Sequence, residues 1–177
     1  MDFFNQTGKL AIGSRLRMLT DKITVDAAAI YKMFGVDLKP KWFPVFFVLS
    51  RGEAKTITSI AKEIGHSHPS VSNIIKEMVA KGLVKETKDK SDGRRNMVML
   101  SAKGKRMSDS FSEQCIDVTA AIEQITQQTR NDLWEAIEEW ENLLLDKSLL
   151  ERVKEAKKER ESKDIKIVPY EPCYQSA

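Results

Sequence analysis

The chain has 177 residues, of which 41% are hydrophobic, 31% charged and 7% aromatic, and its formal net charge is +3. This composition is typical of one or two small globular domains and excludes a collagen-like chain or one disordered throughout. No stretch approaches the roughly 18 apolar residues of a membrane span, and the N-terminus lacks the apolar core of a signal peptide. We therefore expect a cytoplasmic protein with no membrane partner.

Charge is concentrated in the middle of the chain. Residues 51–106 contain 13 basic and six acidic residues, a local balance of +7, which leaves −4 for the remainder. A basic middle between mildly acidic ends predicts that one compact unit meets a polyanion. The two cysteines, Cys115 and Cys173, match no metal-ligand or CxxC spacing and fit a reducing compartment.

The first 50 residues are predicted to form two helices. Residues 3–34 carry apolar side chains at steps of three and four, which predicts one long helix with an apolar face. That face consists of Ile12, Leu16, Leu19, Ile23, Ala27, Ile30 and Phe34. Residues 42–50 are almost wholly apolar, which favours a short buried helix with Pro44 in its first turn over a strand.

Two short helices follow, joined by a tight turn. The first covers residues 56–65 and ends at Gly65, and the second runs from His68 to about Lys81, with Ser67 as its cap. The second helix is predicted to bury Val71, Ile74, Ile75, Met78 and Val79. This pattern is typical of a helix-turn-helix.

Residues 83–88 and 97–100 read as two strands joined by a basic loop, which adds a wing to the helix-turn-helix. The predicted fold class is therefore mainly α with a small β-hairpin wing. In such a fold the second helix enters the major groove of DNA, where base edges carry a readable pattern, and the wing grips phosphate or the minor groove.

Candidate DNA contacts lie on the outward face of the second helix and in the wing. They are Ser67, His68, Pro69, Ser70, Ser72, Asn73, Lys76, Arg94 and Arg95. We expect His68, Ser70, Ser72, Asn73 and Lys76 to face bases, and Ser67, Arg94 and Arg95 to hold the backbone or the minor groove. Asn73 can pair bidentately with adenine. Asp92, two residues before Arg94, is expected to orient that guanidinium by a charge-assisted hydrogen bond.

Helical periodicity returns over residues 103–147, with a break near residue 130 where Thr129 or Asn131 can cap a new helix. Residues 151–163 are charged on nearly every face and predict a solvated helical extension. The last residues alternate like a strand.

Two stretches carry a family resemblance. ITSIAKEIGHSHPSVSNIIKEMVAKGLV resembles the helix-turn-helix of the MarR family of bacterial transcription regulators, and DKSDGRRNMVMLSAKG resembles its wing. The wing pattern is carried by Asp92, Arg94, Leu100, Ser101 and Gly104. The sequence departs from the family at Ser91, where an additional basic residue is common. The resemblance covers about residues 10–147.

The resemblance implies a two-fold dimer with intertwined terminal helices and a palindromic operator. Residues 1–147 would be the MarR-like chain, in which the dimerisation helices 3–34 and 103–147 flank the winged helix-turn-helix 42–102. Residues 148–177 would add the charged extension and tail. The apolar stripes agree with a dimer, because they exceed what so small a winged domain can cover. One larger monomeric helical core is the alternative.

The family also implies release from DNA by a small aromatic or anionic effector. An aromatic cluster is the candidate lining, although a cluster at helical spacing is more often plain core. Its residues are Tyr31, Phe34, Trp42, Phe43 and Phe46. The sequence shows no catalytic motif, so we expect no enzyme, no metal and no cofactor.

Most of these features favour a homodimeric repressor. A winged-helix protein-interaction module is one alternative. Another alternative is the regulatory N-terminal part of a GNAT acetyltransferase fusion. The tail IKIVPYEPCYQ resembles the opening strand of a GNAT domain.

Overall fold

The computed structural model describes residues 2–88 and 96–164. The chain divides into two compact units, one within residues 1–120 and the other within residues 121–177. In chain order the helices and strands are α1 (Asp2–Thr7), a 3-10 turn (Gly8–Ala11), α2 (Ile12–Met33), a 3-10 turn (Pro40–Trp42), α3 (Phe43–Ser50), β1 (Lys55–Thr56), α4 (Ile57–Glu63), α5 (His68–Ala80), β2 (Val84–Lys88), β3 (Asn96–Leu100), α6 (Ala102–Gln128), α7 (Leu133–Asp146) and α8 (Leu149–Asp164). None of the helices described combines the length and the apolarity that a bilayer span requires.

The N-terminal segment is not the single helix that its periodicity predicts. Gly8 has a φ of +55°, in the left-handed region that favours glycine, and a 3-10 turn separates α1 from α2 there. Gly35, with a φ of +67°, follows the end of α2 as predicted. The predicted apolar stripe of this segment has two environments. In its second half, Ala27 and Phe34 pack against the core. Its first half, Ile12, Leu16, Leu19 and Ile23, is exposed.

The core of the first unit is built around α3. Pro44 lies in the first turn of this helix, as predicted, and four of its eight side chains are buried. They are Val45, Phe46, Val48 and Leu49. Phe111 of α6 is buried as well, and its ring meets that of Phe46 edge-on at 4.8 Å between centroids. Aromatic packing of this kind fixes α6 against α3.

The helix-turn-helix is formed by α4 and α5, and both helices have side-chain caps. The Thr56 hydroxyl accepts a hydrogen bond from the Ser59 N–H at 3.1 Å, and the Ser67 hydroxyl accepts one from Ser70 N–H at 3.4 Å. Gly65, with a φ of +67°, makes the turn between them. The predicted cap at Ser67 is therefore confirmed.

Four of the five predicted core side chains of α5 are buried, and Val79 is not. Val71, Ile74, Ile75 and Met78 have almost no exposed surface, whereas Val79 is 40% exposed. Val79 lies in the last turn of α5, at the edge of the apolar stripe, and side chains at that edge are partly exposed to solvent.

The wing strands form part of a three-stranded antiparallel sheet in the order β1-β3-β2. The predicted hairpin is confirmed, and in its register Val84 pairs with Leu100 and Lys88 with Asn96. The two-residue strand β1 was not predicted, because two residues carry no periodicity. Its Lys55 pairs with Val98. The loop between β2 and β3, residues 89–95, lies outside the described residues.

Three helices complete the chain. The predicted cap of α7 at Thr129 or Asn131 is wrong, because Asp132 is the N-cap. Its carboxylate accepts hydrogen bonds from the N–H groups of Trp134 (2.8 Å) and Glu135 (3.1 Å). A carboxylate at this position also faces the positive end of the helix dipole. The predicted charged extension is confirmed as α8, and the strand-like tail lies outside the described residues.

Candidate nucleic-acid interface

The outward face of α5 carries the candidate base contacts. His68, Pro69, Ser70, Asn73 and Lys76 are exposed, and Ser72 is half-buried. The buried residues of α5 occupy the opposite side of the helix and hold it on the core. The structure therefore brings the helix-borne candidates together on one polar face, which is free to meet a partner.

One groove lies where α4, α5 and the start of β3 meet. It has a volume of about 720 Å³ and is lined by Thr56, Ile57, Thr58, Ser59, Lys62, His68 and Asn96. Among these only His68 is a sequence-predicted contact. Thr58, Ser59 and Lys62 come from α4, Thr56 is the last residue of β1, and Asn96 is the first residue of β3. These polar groups belong to the same surface as α5, and sequence reasoning missed them because their position depends on how α4 packs.

A second groove, of about 310 Å³, lies on the other side of α5. It is lined by Pro40, Lys41, Pro44, His66, Ser70, Asn73, Ile74 and Glu77. Two predicted base contacts, Ser70 and Asn73, thus share a groove with a lysine that precedes α3.

Glu77 is the centre of a polar cluster at this groove. Its carboxylate accepts hydrogen bonds from Lys41 Nζ at 2.6 Å, from Trp42 Nε1 at 2.9 Å and from Lys39 Nζ at 3.4 Å. The Lys39 ammonium also lies 4.9 Å from the centroid of the Trp42 ring. Hydrogen bonds from Lys41 and Trp42 lower the pKa of Glu77 from 4.5 to about 2. The carboxylate therefore stays charged throughout the neutral range. We call Glu77, Lys39, Lys41 and Trp42 the Glu77 cluster.

The five aromatic residues predicted to line an effector cleft do not share one environment. Tyr31, Trp42 and Phe46 are buried in the core, Phe34 is half-buried, and Phe43 is 39% exposed. The structure therefore gives three of them a packing role. Binding of an effector at these residues stays a prediction.

A polar group is buried beside Tyr31. Burial raises the pKa of Tyr31 to about 12, and a hydrogen bond from its neighbour Gln114 acts in the opposite direction. Gln114 is itself buried, and its Oε1 has no hydrogen-bond partner among the residues that the structure describes. Burial also raises the pKa of the Cys115 thiol, which packs half-buried against the core as a small apolar side chain. An unpaired buried amide oxygen is costly, which makes Gln114 a notable feature of this core.

The three wing candidates, Asp92, Arg94 and Arg95, lie outside the described residues. The base of the wing is described and is well anchored. The Ser101 hydroxyl donates a hydrogen bond to the Gly82 carbonyl at 2.6 Å, and Lys103 Nζ donates one to the Lys81 carbonyl at 3.0 Å. Both contacts tie the start of α6 to the turn between α5 and β2, so the hairpin leaves the domain at a defined place.

Comparisons with known proteins agree with this geometry. The sequence profile described as the MarR family matches residues 36–95. No curated protein sequence matches the chain closely enough to count as a relative. Many solved structures are similar to this chain, among them three repressor or DNA-bound structures.

The adhesin competence repressor AdcR from Streptococcus pyogenes is 19% identical, with a TM-score of 0.56 over 76% of this chain and 95% of that one. The transcriptional repressor CouR, bound to a 23-mer DNA duplex, is 20% identical, with a TM-score of 0.59 over 78% of this chain and 96% of that one. Overoxidized AbfR bound to DNA is 17% identical, with a TM-score of 0.60 over 82% of this chain and 98% of that one. At these identities the structural likeness shows the fold alone, and the MarR family profile matches about a third of the chain. Residues 36–95 therefore match the MarR family of transcription regulators, and α4, α5, β2 and β3 of this chain have the arrangement of a winged helix-turn-helix.

Proposed function

We propose that this protein is a sequence-specific, double-stranded DNA-binding regulator that acts in the cytoplasm as a homodimeric repressor and leaves its operator when a small molecule binds. The observation that carries the proposal is the polar, exposed face of α5, held outward by its buried side on a helix-turn-helix. A helix presented in this way fits the major groove, where base edges are distinguishable.

The proposed roles divide between bases and backbone. Exposed Asn73 can hold adenine with two hydrogen bonds, and Lys76 suits guanine or phosphate. His68, Ser70 and Ser72 complete the base-facing set. The basic wing residues Arg94 and Arg95 supply phosphate or minor-groove contacts, oriented by Asp92, and Ser67 places the N-terminus of α5 against the backbone.

Exposed apolar surface supports the homodimer. In α2, Ile12, Leu16, Leu19 and Ile23 are each at least 40% exposed. In α7 no residue is buried, and Leu133, Ile137, Trp140 and Leu144 fall on one face of the helix. Surface of this kind is unfavourable in water and is normally covered, which a second copy would do. Two-fold symmetry would place two α5 helices about 34 Å apart, one turn of duplex.

Effector release is supported by the core at Tyr31 and Gln114. The buried Gln114 Oε1 without a partner among the described residues is an acceptor that a ligand donor would satisfy. A small aromatic molecule with a hydrogen-bond donor is the class we propose. Its binding beside α2 and α6 would compete with the packing that holds the first unit together.

Selection of DNA tests the proposal as a whole. The purified protein is allowed to retain fragments of its own genomic DNA at about 150 mM salt, where non-specific phosphate binding is weakened, and the retained fragments are sequenced. We expect a palindrome with half-sites about one helical turn apart. Recovery of no common sequence would reject a sequence-specific regulator and favour a winged-helix module that binds another protein.

Replacing Asn73 with alanine is expected to relax sequence preference rather than abolish binding. Loss of a bidentate base contact costs about 1–3 kcal/mol of discrimination at one base pair, so affinity for the operator falls while affinity for unrelated duplex is nearly unchanged. Arg94→Ala, at a proposed phosphate contact, is the matched comparison and is expected to weaken binding to every sequence. Fluorescence anisotropy with the operator and a scrambled duplex measures both. Equal losses on the two duplexes for both variants would contradict these roles.

A further inference from the structure

The Glu77 cluster presents two lysines beside the outward face of α5. Lys39 and Lys41 both donate to the Glu77 carboxylate, and their side chains nevertheless remain 55% and 56% exposed. Neither lysine belongs to the helix-turn-helix itself, since both precede α3 in the chain. The segment that carries them packs against α5 through the buried side chain of Trp42, and Glu77, near the end of that helix, accepts a hydrogen bond from each lysine.

The position of the cluster places it on the predicted DNA-facing side. Lys41 and Glu77 line the 310 Å³ groove together with Ser70 and Asn73, which are proposed to face bases. His66, from the turn before α5, lines the same groove. A duplex that brings its base edges to Ser70 and Asn73 therefore brings a backbone strand toward this groove, because phosphates flank the bases on both sides of the major groove.

The charges of the cluster suit an anion. Two ammonium groups and one carboxylate leave a net charge of +1. Each ammonium has three donors and gives one to Glu77, which leaves two for another acceptor. Glu77 and the Trp42 ring also hold Lys39 in place, so less side-chain freedom is lost when a phosphate binds.

We propose that Lys41, with Lys39 beside it, forms a contact to a DNA backbone phosphate at the flank of α5, and that Glu77 holds the two lysines in place for it. This inference rests on the proposed DNA binding and adds a contact region outside the helix-turn-helix and the wing. Because a phosphate is the same at every base pair, the contact strengthens binding to all sequences and carries no sequence information.

A simpler role for the cluster is to tie the segment before α3 to α5. The two roles make different predictions. A tie affects thermal stability and leaves the salt dependence of DNA binding unchanged. A phosphate contact releases counterions, so its loss flattens the plot of log affinity against log salt by about 0.9 for each contact.

The experiment uses full-length protein and a mixed-sequence duplex long enough for two half-sites, with anisotropy read from about 50 to about 200 mM salt. For Lys41→Met we expect the slope to fall by about 0.9 per protomer, equivalent to about a 3.5-fold smaller loss of affinity over that range. Lys41→Arg keeps the charge and is expected to retain the wild-type slope. Lys22→Met, at an exposed lysine in the middle of α2, is the matched control and is also expected to retain it.

The double variant Lys41→Met with Glu77→Gln separates a contact from a general charge effect. It leaves the net charge of the protein unchanged and keeps an acceptor for Trp42. If Lys41 contacts phosphate, the slope stays reduced in this variant. A slope restored to the wild-type value, with wild-type binding intact, overturns the inference and leaves the proposed function standing. A wild-type protein that binds no duplex even at the lowest salt overturns both.

Discussion

Replacing Gly104 with alanine is expected to lower the free energy of unfolding by about 3 kcal/mol, the upper end of the range for overpacking a core. Gly104 lies in the first turn of α6, and a Cβ there would lie far inside van der Waals contact of the Leu83 carbonyl oxygen and 3.3 Å from the Leu100 Cβ. The Leu83 carbonyl is not free to move, because it accepts a hydrogen bond from the Ser101 N–H at 2.9 Å. Either α6 shifts or that hydrogen bond is lost.

Thermal unfolding followed by circular dichroism measures this effect. For a chain of this length about 3 kcal/mol corresponds to a fall in Tm of roughly 10 °C. Gly13→Ala is the matched control, because Gly13 is helical and has no neighbouring atom within 4 Å of its would-be Cβ. Alanine is favoured over glycine in a helix, so that variant should be as stable as the wild type or slightly more so. A Gly104→Ala protein that melts with the wild type would contradict the close approach of α6 to Leu83.

A double change on α7, Ile137→Glu with Trp140→Glu, is expected to convert the proposed dimer to a monomer. Both side chains are exposed in the single chain, at 41% and 52%, and lie one turn apart on the same face. Covering four carboxylates in a two-fold interface would be very unfavourable, because buried charges need partners. Neither change removes a buried group, so the fold of one chain should be kept.

Sedimentation equilibrium reports the outcome directly. The wild type is expected at twice the chain mass of 20.1 kDa and the variant at that mass. Affinity for a palindromic operator should fall by about 10²–10⁴-fold, since the two half-sites are no longer bound by linked domains. Asn142→Glu, on the opposite face of α7, is the control and should remain dimeric. If the wild type is itself monomeric, the apolar faces of α2 and α7 have another partner.

Local patterns made the helix-turn-helix predictable. Ser67 was identified as a cap because its hydroxyl is followed by a helical stretch with a tolerated proline, and it does accept the Ser70 N–H. The buried side of α5 and the strands of the wing followed from periodicities of 3.6 and 2 residues. A cap depends on residues within four positions along the chain, and the buried side of a helix or strand depends on the spacing of its own apolar residues. Both can be seen in the sequence.

The wrong predictions near helix ends arose where neighbouring residues are equally suited to end or cap a helix. Periodicity continued through Gly8, although its left-handed backbone divides the first helix. Thr129, Asn131 and Asp132 all have side chains that can cap a helix. In the structure the backbone places Asp132 at the N-cap position. The apolar residue Val79 lay at the edge of its stripe, where burial depends on what the neighbouring element covers.

The sequence by itself determined the order of the helices and strands, the polar face of α5 and the family of its central segment. Only the tertiary structure decided which distant groups meet. Glu77 and Lys41 are 36 residues apart, and the close approach of Gly104 to the backbone of Leu83 is not visible in the sequence pattern that contains this glycine. Aromatic residues such as Trp42 and Phe43 are alike in sequence, yet one is buried and the other half-exposed. Contacts of this kind depend on how whole elements pack, and residue spacing along the chain does not encode that directly.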